Sequence, residues 1–77
     1  MITILFFAQL QEEAGKDQLE IQETSITIQD LREKLQKEYQ LHGLNNAMAA
    51  INEEYALNDD TVQEGDTVAF IPPVSGG

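Results

Sequence analysis

A small α+β domain, with one helix laid across one face of a mixed sheet, is what this sequence predicts, and three observations carry the prediction. The chain has 77 residues, enough for one domain whose folding buries only about 60% of the unfolded surface. Its residues are 42% hydrophobic and 23% charged, an ordinary globular balance that argues against disorder. A single apolar stripe of helical period stands near the middle, with short β-branched and aromatic runs on both sides.

The elements follow in order. Ile2 to Ala8 is rich in β-branched and aromatic residues and short enough for a strand. Alternation gives it a wholly apolar row, Ile2, Ile4 and Phe6, and a mixed one, Thr3, Leu5 and Phe7. Gln9 to Ala14 reads as a short helical turn closed by Gly15. Leu19 and Ile21 alternate with Gln18, Glu20 and Gln22, as in a half-buried second strand. Thr27 then serves as helix N-cap with Asp30 three residues on, an acid that also suits the helix dipole. Ile28, Leu31, Leu35 and Tyr39 trace one apolar stripe, and Asp30–Lys34 and Glu33–Lys37 are spaced for ion pairs on the wet side. Gly43 is the expected stop.

The second half reads as short strands. Ala47 to Ile51 is apolar, with Met48 expected in the core; Asn52-Glu53-Glu54 turns, and Tyr55-Ala56-Leu57 returns. Asn58-Asp59-Asp60-Thr61 and Glu64-Gly65-Asp66 are turn chemistry around a buried Val62. Thr67 to Ile71 is the last strand, with Val68 and Phe70 on one face and Thr67, Ala69 and Ile71 on the other; Pro72-Pro73 ends it, because neither can donate to a ladder. The order is strand, strand, helix, strand, short strand, strand. One helix with one stripe covers one sheet face, which is the arrangement of a β-grasp, the ubiquitin-like roll, over residues 1–71. Leu5, Phe7 and Ile71 then fall on the uncovered face, and an apolar patch of that kind marks a protein–protein surface.

Composition narrows the function. Lys and Arg total 4 against 14 Asp and Glu, a formal charge of -10. Neither nucleic acid nor an anionic membrane fits that balance, since both need basic side chains, whereas a basic protein partner fits well. With no cysteine, disulfides, thiolate catalysis and cysteine-held metals drop out. The apolar opening from Met1 to Ala8 lacks a positive leader and is too short to span a bilayer, so the expected location is the cytoplasm.

An ordinary active site is missing from the pattern. His42 is the sole side chain suited to base chemistry at neutral pH, and beside Gly43 it reads as a helix-end residue. The neighbouring acids Glu12-Glu13, Glu53-Glu54 and Asp59-Asp60 point apart and read as solvated turn positions. No calcium loop, phosphate-cradling loop or metal-ligand spacing appears, so no bound cofactor or metal is expected. What remains is residues 72–77, Pro72-Pro73-Val74-Ser75-Gly76-Gly77. The prolines stiffen the exit from the last strand, and with glycine usage near 7% a terminal pair arises by chance in roughly one chain in two hundred. Extended, the segment reaches about 17–20 Å, and its small side chains suit a narrow channel. A free carboxylate is a poor electrophile, so chemistry at Gly77 needs activation from outside. An ATP-dependent partner making the acyl-adenylate, and a sulfur donor converting it to a thiocarboxylate, would supply it.

The whole chain resembles the small, sulfur-carrying subunit of molybdopterin synthase. The likeness is most specific from Glu64 to Gly77, and it extends to Ile4-Leu5-Phe6-Phe7-Ala8-Gln9-Leu10 and to Ala50-Ile51-Asn52-Glu53-Glu54-Tyr55. The resemblance implies a sulfur carrier of molybdenum cofactor biosynthesis. Gly77 would be adenylated by an adenylyltransferase of the ubiquitin-activating type and then carry sulfur as a thiocarboxylate. The tail would enter the large subunit of the synthase and donate sulfur to cyclic pyranopterin monophosphate, two carriers supplying the two sulfurs. It also implies a heterotetramer, two small subunits flanking a dimer of large ones, with Leu5, Phe7 and Ile71 docking. Enzymatic activity would then belong to the complex, as a sulfurtransferase, and not to this chain alone.

Other readings share parts of the pattern. The sulfur carrier of thiamin thiazole synthesis has the same ending and activation chemistry, but it usually lacks the two prolines. A protein-conjugating ubiquitin-like modifier would use the same tail. A non-catalytic β-grasp interaction module would keep its function without Gly76 and Gly77. An acyl carrier protein is rejected, because neither Ser25 nor Ser75 follows an Asp and no helical bundle is patterned.

Overall fold

A computed structural model describes residues 1–73. Its strands are β1 (Ile2–Phe6), β2 (Gln18–Ile21), β3 (Ser25–Thr27), β4 (Met48–Ile51), β5 (Glu54–Ala56), β6 (Thr61–Gln63) and β7 (Thr67–Ile71). The helices are α1 (Gln9–Ala14) and α2 (Ile28–Tyr39), with a 3₁₀ turn at Leu44–Asn46. Five strands form one mixed sheet in the order β2-β1-β7-β4-β5, and β3 and β6 form a separate two-stranded ribbon. β1 and β7 run parallel at the centre, while the other neighbours in the main sheet are antiparallel. This is the β-grasp architecture that the pattern of one stripe among short strands predicts.

The core lies between α2 and one sheet face. Ile2, Ile4 and Phe6 of β1 and Val68 and Phe70 of β7 point into it, alternating with half-buried neighbours. Ile28, Leu31 and Leu35 meet them from α2 with no exposed surface. Burying a side chain of that size contributes about 1.5–3 kcal/mol relative to leaving it in water. Thr27 caps α2 as its spacing predicts, its hydroxyl accepting the backbone N–H of Asp30 at 3.1 Å. Gly15 closes α1 in the left-handed conformation, at φ 77°, and donates its N–H to the Gln11 carbonyl.

Several expectations are corrected. β1 ends at Phe6, because Ala8 takes φ 54° and ψ -130° and swings the chain into α1. Gly43 does not stop α2: Gln40 adopts the left-handed conformation and returns its N–H to the Gln36 carbonyl, and Gly43 opens the 3₁₀ turn. Asn52 and Glu53 alone form the hairpin turn, both at positive φ, and Glu54 already belongs to β5. The ribbon of β3 and β6 was legible only as a buried Val62, since three-residue strands show no period; Ile26 faces Val62 across it. The ion pairs expected along α2 are replaced by others. Lys34 lies 3.5 Å from Glu38 and 3.9 Å from Glu23, while Glu33 accepts a hydrogen bond from Gln29.

Candidate functional site

Among the described residues no helix covers the sheet face away from α2. Cross-strand register assembles its rows: Leu5, Ala69, Ala50 and Tyr55 line up across β1, β7, β4 and β5, and Ile71 faces Met48. Residues opposite each other across a ladder share a face, so Leu5, Ile71, Met48 and Tyr55 all project to the same side. Phe7, just beyond β1, joins Leu5 and Ile71 in lining one shallow concavity of about 610 Å³. Its floor includes Ala50 and Ala69, whose small side chains let the larger groups around them stand proud. Phe7 is 44% exposed, Met48 48% and Tyr55 72%, so large apolar surface faces water here. Acids flank it, with Glu53 in the lining and Glu20 opposite Thr3 on β2.

The structure therefore brings Leu5, Phe7 and Ile71 together, as alternation predicts. Met48 is a correction. It was expected in the core, but register with Ile71 turns it to the open face, and Ala47 and Ala49 on either side are the buried residues. Tyr55 was read only as part of a returning strand, although its pairing with Ala50 places it on this surface. An apolar run without polar alternation hides which of its residues face in, so only the register separates Met48 from Ala49.

β7 runs from this face straight into the tail. Pro72 is buried and Pro73 exposed, so the folded body holds the chain one residue past the last strand. Val74, Ser75, Gly76 and Gly77 lie outside the described residues.

Of the acid pairs read as solvated turn positions, Glu12 and Glu13 lie in α1 and Glu54 in β5, and two members have backbone partners. Glu13 accepts the His42 backbone N–H at 2.9 Å, and Asp60 accepts that of Leu57 at 2.7 Å. Asp66 accepts the Gln63 backbone N–H and the Asn52 side-chain amide, and both bonds hold its carboxyl below the usual range. Asn52 in turn accepts the Thr67 N–H, which locks the β4–β5 turn to β7 beneath the concavity. No cluster of three metal-ligating side chains occurs among the described residues.

One buried charge escaped the sequence reading. Arg32 is 8% exposed on α2, its guanidinium 5.4 Å from the centre of the Phe70 ring. Its Nε donates to Asn58 Oδ1 at 2.9 Å, and its Nη1 donates to the carbonyls of Leu44 at 2.6 Å and Ala47 at 2.8 Å. It thus pins the 3₁₀ connection between α2 and β4. Desolvation lowers its pKa. An apolar-stripe search passes over an arginine in the turn between Ile28 and Leu35.

The chain matches the ThiS family over residues 4–77. It is 36% identical over full length to the molybdopterin synthase sulfur carrier subunit of Escherichia coli, covering 100% of both chains. It is 40% identical to the subunit of that name from Drosophila erecta, over 99% of this chain and 90% of the other. Among solved structures it resembles a putative molybdopterin converting factor subunit 1 from Pyrococcus furiosus, with a TM-score of 0.75 and 26% identity over 95% of this chain and 97% of that one. Whole-length identity at this level, with a shared fold, settles kinship: the chain belongs to the ThiS family, among the molybdopterin synthase sulfur carrier subunits.

Proposed function

We propose that this protein carries sulfur for molybdenum cofactor biosynthesis on its C-terminal residue. The observation that supports the reading best is architectural. The last strand contributes Thr67, Ala69 and Ile71 to an exposed apolar face and leads directly into a Pro-Pro-Val-Ser-Gly-Gly ending. The domain presents and the terminus reacts.

The chemistry follows from the carboxylate. An oxygen of Gly77 attacks the α-phosphate of ATP on an adenylyltransferase of the ubiquitin-activating type, and pyrophosphate leaves. Sulfide-level sulfur from a donor then attacks the acyl carbon, the C–O bond to the phosphate breaks, and AMP leaves a thiocarboxylate behind. Docked through Leu5, Phe7 and Ile71, with Met48 and Tyr55 beside them, the body delivers the tail into the large subunit of the synthase. There the sulfur passes to cyclic pyranopterin monophosphate. Two small subunits on a dimer of large ones supply two sulfurs. A charge of -10 disfavours binding of an anionic pterin by this chain, so the basic residues belong to the partner. ATP is likewise bound by the activating enzyme, and the whole cycle takes place in the cytoplasm.

Intact-mass spectrometry on protein from cells holding the activating enzyme tests the reading: the mass rises by the replacement of one oxygen by sulfur. A chain lacking Gly76 and Gly77 folds normally and restores no cofactor synthesis. Restoration by that chain overturns the proposal. The sulfur carrier of thiamin thiazole synthesis is the rival reading, and incubation with each large partner and its own precursor separates the two.

A further inference from the structure

A second concavity, of about 380 Å³, opens beside the apolar face at the β5 edge. Tyr55 lines both hollows, and Met48, Leu57, Asn58 and Arg32 help to line the second. Leu57 is 73% exposed here, although it is a large apolar residue.

Arg32 is unusual in how its donors are spent. Nε and both hydrogens of Nη1 are engaged, by Asn58, Leu44 and Ala47. Nη2 has no acceptor among the described residues, and none of the ion pairs involves Arg32. Among the described residues no fully buried side-chain nitrogen or oxygen lacks a partner, so Nη2 keeps some exposed surface, and Arg32 is one of the residues that line the concavity. Arg32 is thus a largely buried charge with neutral acceptors and the Phe70 ring around it and no carboxylate partner among the described residues.

The geometry points to a carboxylate-binding site, in which Nη2 of Arg32 receives an Asp or Glu side chain of the protein partner that covers the apolar face. A carboxylate fits better than a phosphate. The donors available are those of one nitrogen, the walls are mostly apolar, and a dianion would meet the full repulsion of a chain at -10. A partner side chain fits better than a free metabolite, because Tyr55 makes the hollow continuous with the docking face. The site would fix the angle at which the partner sits, since apolar contact alone has no direction. This last point rests on the docking role proposed above; the carboxylate site itself does not.

Asn58→Asp tests it without dismantling Arg32. The substitution keeps the acceptor for Nε and adds a charge that neutralises the guanidinium from within, so the thermal midpoint should hold or rise. Sodium acetate titrated into the native protein should produce saturable NMR shifts at the Arg32 Nε–H and the Leu57 and Asn58 amides. Sodium chloride at equal ionic strength should not, and N58D should abolish them. Affinity for the synthase large subunit should fall roughly tenfold in N58D, the size of one hydrogen bond to a charged group. Equal shifts with chloride, or acetate shifts that persist in N58D, overturn the site. Acetate binding with unchanged partner affinity overturns the assignment of its occupant. Failure of the native protein to bind the large subunit at all sinks the docking role instead, and the acetate experiment still reports on the site.

Discussion

The two faces of the main sheet are built from the same strands and do opposite work. On the α2 side, Ile2, Ile4, Phe6, Val68 and Phe70 are at most 1% exposed. On the other side, Leu5, Ala69 and Ile71 alternate with them along β1 and β7, and Phe7 and Tyr55 stand in water. Both faces are apolar, so hydrophobicity does not distinguish them. What does is whether this chain supplies the covering layer. Among the described residues one helix, α2, is long enough to cover a face, and the other face keeps Phe7, Met48 and Tyr55 exposed.

That contrast is open to attack by mutation. Phe70→Ala on the covered face should have the largest effect, a loss of about 3–5 kcal/mol in urea unfolding; a small loss would mean that the core is not where stability resides. Phe7→Ala on the open face should change stability by within about 0.5 kcal/mol yet weaken large-subunit binding by about 2 kcal/mol, read by calorimetry. If both variants lose stability equally, the division of labour fails. Glu53→Gly should raise stability by about 1 kcal/mol, because Glu53 sits at φ 73° in the hairpin turn where a side chain is strained.

The smallest effect concerns acid. Asp66 has its pKa lowered by the Gln63 N–H and the Asn52 amide. Its stabilisation is complete above the unfolded-state value and is lost as pH falls through the lower folded one. The urea midpoint should therefore decline below about pH 4, and Asp66→Asn should flatten part of that decline without altering partner binding at neutral pH.

Much of this was legible in the chain because local signals agreed with the fold. The stripe from Ile28 to Leu35, the Thr27 cap, the Gly15 closure and the alternation of Ile2, Ile4 and Phe6 each name an element and its inner side. From alternation came Leu5, Phe7 and Ile71. What escaped was set by pairing between distant segments. Met48 and Ala49 differ only in register against β7; β3 and β6 exist as strands only because they find each other; and Arg32 depends on carbonyls in a turn it cannot foretell. Gln40 took the left-handed position that Gly43 was expected to fill, the helix ending where Leu41 could enter the core.

The parallel pairing of β1 with β7 joins the first strand to the last, and β7 lies between β1 and β4. During synthesis, β1, β2 and α2 emerge early but lack the strand that ties the two halves of the sheet, so closure over such a sequence distance comes late. A chain halted before β7 has neither Ala69 nor Ile71 to build the open face. If the open face is the docking surface proposed above, a chain that lacks β7 should lose partner binding together with the tail that β7 leads into.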